Sequence, residues 1–267
     1  MNTQKAMHYA DNYLINPTNP VTVNLIGAGG TGSRMLTELA RMNHSLIALG
    51  HAGLQVNLFD DDVVTTANQG RQLFADAEVG LPKSVVLINR NNRFFGTNWK
   101  AVTEQFSTVN LKSLPNQGRA NIYISCVDTV SARFDIATAL QDCAVHSNWE
   151  RNKSLYWLDI GNARNTGQGI LSTIEEIQQP NSNLYRTVSN LPMVTNEFKE
   201  LLEAQTDNRE PSCSLAEALE KQDLFINSTL ANMGASLLWK LFREGMTEYR
   251  GFFLNLANFR SQPILVA

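Results

Sequence analysis

From Val21 onward the chain alternates short apolar runs with longer stretches whose apolar residues recur at helical spacing. Such alternation predicts stacked strand-helix-strand units and a mostly parallel sheet. Val21-Thr22-Val23-Asn24-Leu25-Ile26 predicts the first strand and runs straight into a glycine-rich turn. Thr31 to Met42, with Met35, Leu36, Leu39 and Ala40 on one face, predicts a helix. A second strand is expected from Leu54 to Phe59, ending in three aspartates, and a helix from Val79 to about Phe94. Ala101 to Phe106 reads as a short strand, and Asn121 to Val127 as a buried one because its apolar run is nearly continuous. Helix Val130 to Val145 and strand Leu155 to Ile160 complete the alternation.

After about Gln178 the texture changes to Gln179-Pro180-Asn181-Ser182-Asn183, which predicts a loop. Beyond it, Asn196 to Ala204 and Leu215 to Phe242 read as helical, with Gly251 to Leu256 and Ile264 to Val266 as closing strands. The expected fold class is therefore α/β: a mostly parallel sheet with helices on both faces, formed by residues 1–178, and a helical and loop extension over 179–267, integrated with the core.

Composition narrows the function classes. The 267 residues carry 22 basic and 25 acidic side chains and no basic stripe, which argues against nucleic acid as the main partner. Three cysteines, Cys126, Cys143 and Cys213, cannot form a disulfide framework or a four-thiolate zinc site and fit a reducing compartment. The polar N-terminus lacks an apolar signal core and no run is long enough to span a membrane, so the expected location is cytoplasmic. The four histidines show no metal-ligand spacing.

Gly27-Ala28-Gly29-Gly30-Thr31-Gly32 has G-x-G-x-x-G spacing, follows a strand and opens a helix, the context in which unpaired backbone N–H groups favour an anion. Alone it predicts a nucleotide-binding loop. Ser33-Arg34 stands where a Walker loop needs Lys followed by Ser or Thr. Asp60, at the end of the second strand, suits a ribose in either a dinucleotide or an ATP reading, although it comes 28 residues after Gly32 rather than about 20. Arg71 and Lys83, on loops beyond that strand, would place two cations near one polyphosphate, which a hydride-transfer cofactor does not need. Asp128, at the end of the Asn121 to Val127 strand, could hold magnesium on those phosphates or cap the Val130 helix.

The run from Val23 to Arg133 resembles the adenylation domain of the ThiF/MoeB superfamily, bacterial relatives of ubiquitin-activating enzymes. The resemblance rests on five ordered elements: Gly27 to Gly32; Asp60-Asp61-Asp62-Val63-Val64; Asn68 with Arg71 and Gln72; Gly80-Leu81-Pro82-Lys83; and Cys126-Val127-Asp128. It implies a Rossmann-like ATP-binding core in which Gly27, Gly29, Gly30 and Gly32 cradle phosphate. By the same resemblance Asp60 holds ribose, Asp62, Asn68 and Gln72 belong to the nucleotide site, Arg71 and Lys83 contact phosphate, and Asp128 holds Mg2+. The stretch from Pro211-Ser212-Cys213 to Phe225-Ile226-Asn227 resembles the plasmid-associated PRTRC-system branch of ThiF-like proteins.

The implied reaction is attack by the C-terminal carboxylate of a ubiquitin-like or sulfur-carrier partner, ending in glycine, on the α-phosphate of ATP. Relatives are commonly homodimers. Two features depart from their pattern: no Cys-x-x-Cys pair exists, so no structural zinc is expected, and residues 1–20 contain no arginine to reach a neighbouring subunit's ATP; Arg34 is one candidate substitute. Cys213 precedes the capping-box pattern Ser214-Leu215-Ala216-Glu217, where a helix start lowers a thiol pKa, so it is the candidate acceptor of the activated acyl group, by thioester or persulfide chemistry, against plain loop packing. The competing functions are a nicotinamide-dependent oxidoreductase on the same sheet and a nucleotide-binding scaffold without catalysis.

Overall fold

The computed structural model describes residues 4–69, 72–145, 153–204 and 222–267. In chain order its strands are β1 (Ala6–Tyr9), β2 (Val21–Ile26), β3 (Leu54–Phe59), β4 (Lys100–Val102), β5 (Ile122–Ser125), β6 (Tyr156–Asn162), β7 (Thr166–Thr173), β8 (Arg186–Thr187), β9 (Met246–Thr247), β10 (Tyr249–Asn255) and β11 (Arg260–Leu265). The helices are α1 (Asn12–Ile15), α2 (Gly30–Ala48), α3 (Lys83–Phe95), α4 (Thr108–Leu111), α5 (Pro115–Gly118), α6 (Val130–Val145), α7 (Val194–Glu197), α8 (Lys199–Glu203) and α9 (Ile226–Glu244).

Eight strands form one sheet in the order β11-β10-β7-β6-β5-β2-β3-β4. The five strands β4, β3, β2, β5 and β6 are mutually parallel, and β7, β10 and β11 extend the sheet antiparallel. Strand order reverses between β2 and β5, so the chain leaves β2 toward one edge and later returns to its other side. Ligands of such sheets bind in the crevice this reversal opens at the strand C-termini.

Period-two alternation sorts the side chains onto two cores. Val23 and Leu25 of β2, Val56 and Leu58 of β3, Ile122 and Ile124 of β5 and Leu158 of β6 meet Met35 and Leu39 of α2, Val86 of α3, and Leu230 and Leu238 of α9. Phe59, Tyr123 and Trp157 point the other way, toward Ile136 and Leu140 of α6, Val194 of α7 and Leu202 of α8. Each such fully buried Leu, Val or Ile contributes about 1.5–3 kcal/mol of transfer free energy. The parallel sheet with helices on both faces thus agrees with the expectation from the sequence, and no helix among the described residues is long and apolar enough to cross a membrane.

Several local readings change. The helix expected from Val79 begins at Lys83, because Gly80 (φ 87°) and extended Pro82 hold the chain out of helix, while Asp76–Glu78 form a separate 3-10 turn. The strand expected over Ala101 to Phe106 is confined to Lys100–Val102. The helix expected over Asn196 to Ala204 breaks at Phe198 into α7 and α8. The long C-terminal helix starts at Ile226 rather than within 222–225, and residues 215–221 of that expectation lie outside the described residues. β7 was not anticipated, because Gly167 and Gly169 hide its alternation. These glycines serve packing: a Cβ at Gly169 would sit 2.7 Å from the Phe252 ring. The polar N-terminus also folds, as β1 pairs with β8 and β9 in a small second sheet.

Candidate active site

The described residues enclose a cavity of about 810 Å³ at the C-terminal ends of β2, β3, β5 and β6, where the strand order reverses. Its floor is the glycine loop. Gly27 takes φ 95° and donates its N–H to Phe59 O (2.8 Å), and a Cβ there would lie 2.8 Å from Cys126 O. Glycine is required on both counts. A Cβ on Gly32 would sit 1.8 Å from Gly27 O, so Gly32 lets the first turn of α2 close against the loop rather than facing the cavity. Gly29 is the N-cap of α2 and has nothing within 4 Å of its Cβ position, so it borders the open volume.

Asp60 leaves the end of β3 and turns back to the loop. Its Oδ2 accepts the Ala28 N–H (2.6 Å) and its Oδ1 accepts the Asp62 N–H (3.1 Å). Burial pushes its carboxyl up to about 6, against the opposing pull of the Ala28 N–H and the Lys83 charge. A carboxylate has about four lone-pair sites, so this one can fix the loop and still accept a ligand hydroxyl.

Lys83 is the first residue of α3 and is brought back to the strand ends by the pairing of Val64 with Leu81 and Gly80. Its side chain is 8% exposed, and Nζ meets Asp62 Oδ2 at 2.7 Å while Asp62 is 69% exposed. Asp62 thereby aims a buried ammonium whose other two hydrogens have no partner among the described residues. Gln72 also lines the cavity and is buried, and its Oε1 has no hydrogen-bond partner among the described residues. A buried amide oxygen left so is costly unless a ligand donor meets it.

Asp128 lies in the β5 to α6 loop, exposed on the cavity, with no hydrogen bond or ion pair among the described residues. It is not the cap of α6: Thr129 Oγ1 accepts the Ala132 N–H (3.3 Å) instead. The loop is held from below by Arg133, which donates to Val127 O (2.9 Å), Thr129 O (3.2 Å) and Asp159 Oδ2 (3.2 Å). Asp159 is fully buried and also accepts Ser125 Oγ (2.7 Å).

The structure thus gathers Gly27, Gly29, Gly30, Asp60, Asp62, Gln72, Lys83 and Asp128 around one cavity. It does not bring Asn68 there: the Asn68 Oδ1 accepts the Thr65 N–H (2.8 Å) and hydroxyl (3.1 Å) in a capping box. Arg34 is absent from the cavity wall, and Lys5 is ion-paired to Glu248. Arg71 and Cys213 lie outside the described residues. Cys126 borders the cavity as a partly buried residue whose thiol desolvation pushes well above the ordinary range, and burial raises Cys143 likewise, in keeping with packing roles. Among the described residues no three His, Cys, Asp or Glu side chains form a metal cage.

Sequence reasoning missed the β6 side of the cavity, where Asn162 meets Gln222 and Asn227 of the C-terminal extension. Asn227 carried one readable signal, a polar residue on the apolar face of α9 that continues through Leu230, Ala231 and Gly234. Asn162 carried none.

The ThiF family model matches residues 18–265. No curated protein matches the chain. Among solved structures, a crystal structure of PaaA is 14% identical with TM-score 0.59, covering 92% of this chain and 64% of that one. E. coli MccB crystallised with ATP is 15% identical with TM-score 0.52, covering 94% and 64%. E. coli MccB with AMPCPP and MccA is 13% identical with TM-score 0.56, covering 92% and 63%. At these identities the likeness concerns the fold, and this chain spans less than two thirds of the length of those proteins.

Proposed function

This chain belongs to the ThiF family, and on that footing we propose that it adenylates the C-terminal carboxylate of a small protein or peptide partner of ubiquitin-like or sulfur-carrier type. The observation that carries the reading is the convergence of the glycine loop, Lys83 and Asp128 on one cavity. In the proposed reaction a carboxylate oxygen bonds to the α-phosphorus of ATP and the bond to pyrophosphate breaks, leaving an acyl-adenylate. Little covalent work falls to the protein. The loop N–H groups and Lys83 hold the phosphates and offset the charge that builds on them, Arg71 adds a second cation, and Asp60 orients the ribose.

The charge balance of the cavity supports a nucleotide bound with its metal. Asp60, Asp61, Asp62, Asp128 and Asp135 line it against Lys83 as the lone cationic side chain among the described residues. A polyphosphate would be repelled without a counter-cation. Magnesium is commonly held by one or two carboxylates plus substrate phosphates, so Asp128, unpartnered on the wall, fits that role and the absence of a cage is no obstacle. When bound, the ion would neutralise phosphate charge.

The proposal further places most of the nucleotide site in residues 1–178, with Gln222 and Asn227 completing its wall and the rest of 179–267 choosing the partner, in a cytoplasmic homodimer, with Cys213 receiving the activated acyl group. A nicotinamide-dependent oxidoreductase would leave Lys83 and Asp128 without a shared purpose. ATP–pyrophosphate exchange with a candidate partner tests the reading. Lys83→Ala and Asp128→Ala are each expected to lower the rate on the order of 10²-fold or more. Undiminished exchange in either variant removes that residue's assignment. A melting temperature raised by NAD and not by ATP with magnesium overturns the whole reading.

A further inference from the structure

The C-terminal extension reaches the glycine loop through one side chain. Asn227, in the first turn of α9, is 1% exposed and lies against the start of α2. Its Oδ1 accepts both the Thr31 hydroxyl (2.8 Å) and the Asn162 Nδ2 (2.8 Å), while its own Nδ2 donates to Gln222 Oε1 (3.0 Å). A single carboxamide therefore ties together the helix that opens the loop, the end of β6 and the segment leading into α9. The fit leaves no slack. A Cβ on Gly30 would lie 2.5 Å from Asn227 Nδ2, so the third glycine of the loop is demanded by Asn227 rather than by open ligand space.

We propose that Asn227 is a positioning residue for the nucleotide site: it sets where the first turn of α2 stands, and so where the loop N–H groups meet phosphate. Two features of the site make this more than packing. Thr31, Asn162, Gln222 and Asn227 all border the cavity, so the network is part of its wall. The Asn227 oxygen is also the shared acceptor of two donors from different elements. Its loss frees the Thr31 hydroxyl and the Asn162 amide together, and such networks lose more than the sum of their pairs. The inference rests on the proposed nucleotide reading, and the test separates the two.

Calorimetric titration of the full-length protein with Mg-ATP, alongside pyrophosphate exchange, compares wild type with Asn227→Ala, Thr31→Val and the double variant. Each single change is expected to weaken ATP binding on the order of tenfold, and the double variant to be little worse than Asn227→Ala because both remove one interaction. In exchange assays KM for ATP rises in the folded protein. A merely structural role would reduce the active fraction, and hence kcat, with KM unchanged. Should Asn227→Ala fail to fold, Thr31→Val carries the test. Wild-type ATP affinity in folded Thr31→Val overturns the inference alone, whereas a wild type that does not bind ATP overturns the nucleotide reading and this inference with it.

Discussion

Replacing Arg133 by methionine removes the support beneath Asp128. Arg133 is 4% exposed and Asp159 fully buried, so the substitution leaves a carboxylate in the core with Ser125 Oγ as its remaining partner. It also frees the carbonyls of Val127 and Thr129, the two neighbours of Asp128. Breaking a buried ion pair from one side costs about 3–5 kcal/mol, because the surviving charge stays desolvated. Taking about 4 kcal/mol, the folding equilibrium falls about a thousandfold. For a chain of this size the melting temperature drops by about 8–16 °C. Urea denaturation followed by circular dichroism measures the loss. Arg133→Met combined with Asp159→Asn should recover about 1–3 kcal/mol of it, since the buried charge is gone while the amide still receives the Ser125 hydroxyl. Mg-ATP affinity should stay reduced in that double variant, because the carbonyls flanking Asp128 remain unheld. A loss below about 1 kcal/mol for Arg133→Met, or no recovery in the double variant, would refute the claim that this pair holds the loop.

Two further outcomes follow from the geometry. Gly32→Ala drives a Cβ to 1.8 Å from Gly27 O, a backbone clash that no side-chain movement relieves, and is expected to cost about 3 kcal/mol or more along with ATP binding; Gly29→Ala meets nothing within 4 Å and should melt near wild type while obstructing the ligand, so equal melting temperatures for the two variants would contradict this division of labour. His8 is buried between Val188 O (2.7 Å from Nδ1) and the Tyr156 hydroxyl (2.9 Å from Nε2), and desolvation holds its ring below the ordinary imidazole range. The unfolded chain then takes up the proton first, so this contribution to stability is present above about pH 6.5 and is lost as pH falls below it. Urea midpoints should decline on acidification and decline less in His8→Gln; identical pH slopes for the two proteins would remove His8 as the cause.

Local pattern carried the parallel sheet and much of the site. β2, β3 and α6 fall on their expected residues because apolar alternation and helical spacing are properties of neighbouring positions. The glycine loop, Asp60 and Asp128 were legible for a related reason: the first two immediately follow β2 and β3, Asp128 comes three residues after β5, and parallel strands deliver their C-terminal ends to one edge of the sheet. Lys83 was legible through its motif, although the turn that returns it to Asp62 was not.

What local pattern could not carry depends on residues far apart in the chain. Asn227 meets Thr31 across 196 positions, and His8 meets Val188 across 180. Neither pairing leaves a periodicity. Nothing in the local pattern pairs Arg133 with Asp159, which the fold buries together, and of the two roles the sequence left open for Asp128 the capping one falls to Thr129. The sequence by itself therefore set the ends of β2 and β3 and the chemistry delivered to the sheet edge, because both follow from short-range geometry. The carboxamide wall, the buried pair under Asp128 and the precise seat of the glycine loop arise where distant segments exclude water together, and that exclusion exists once the chain has folded.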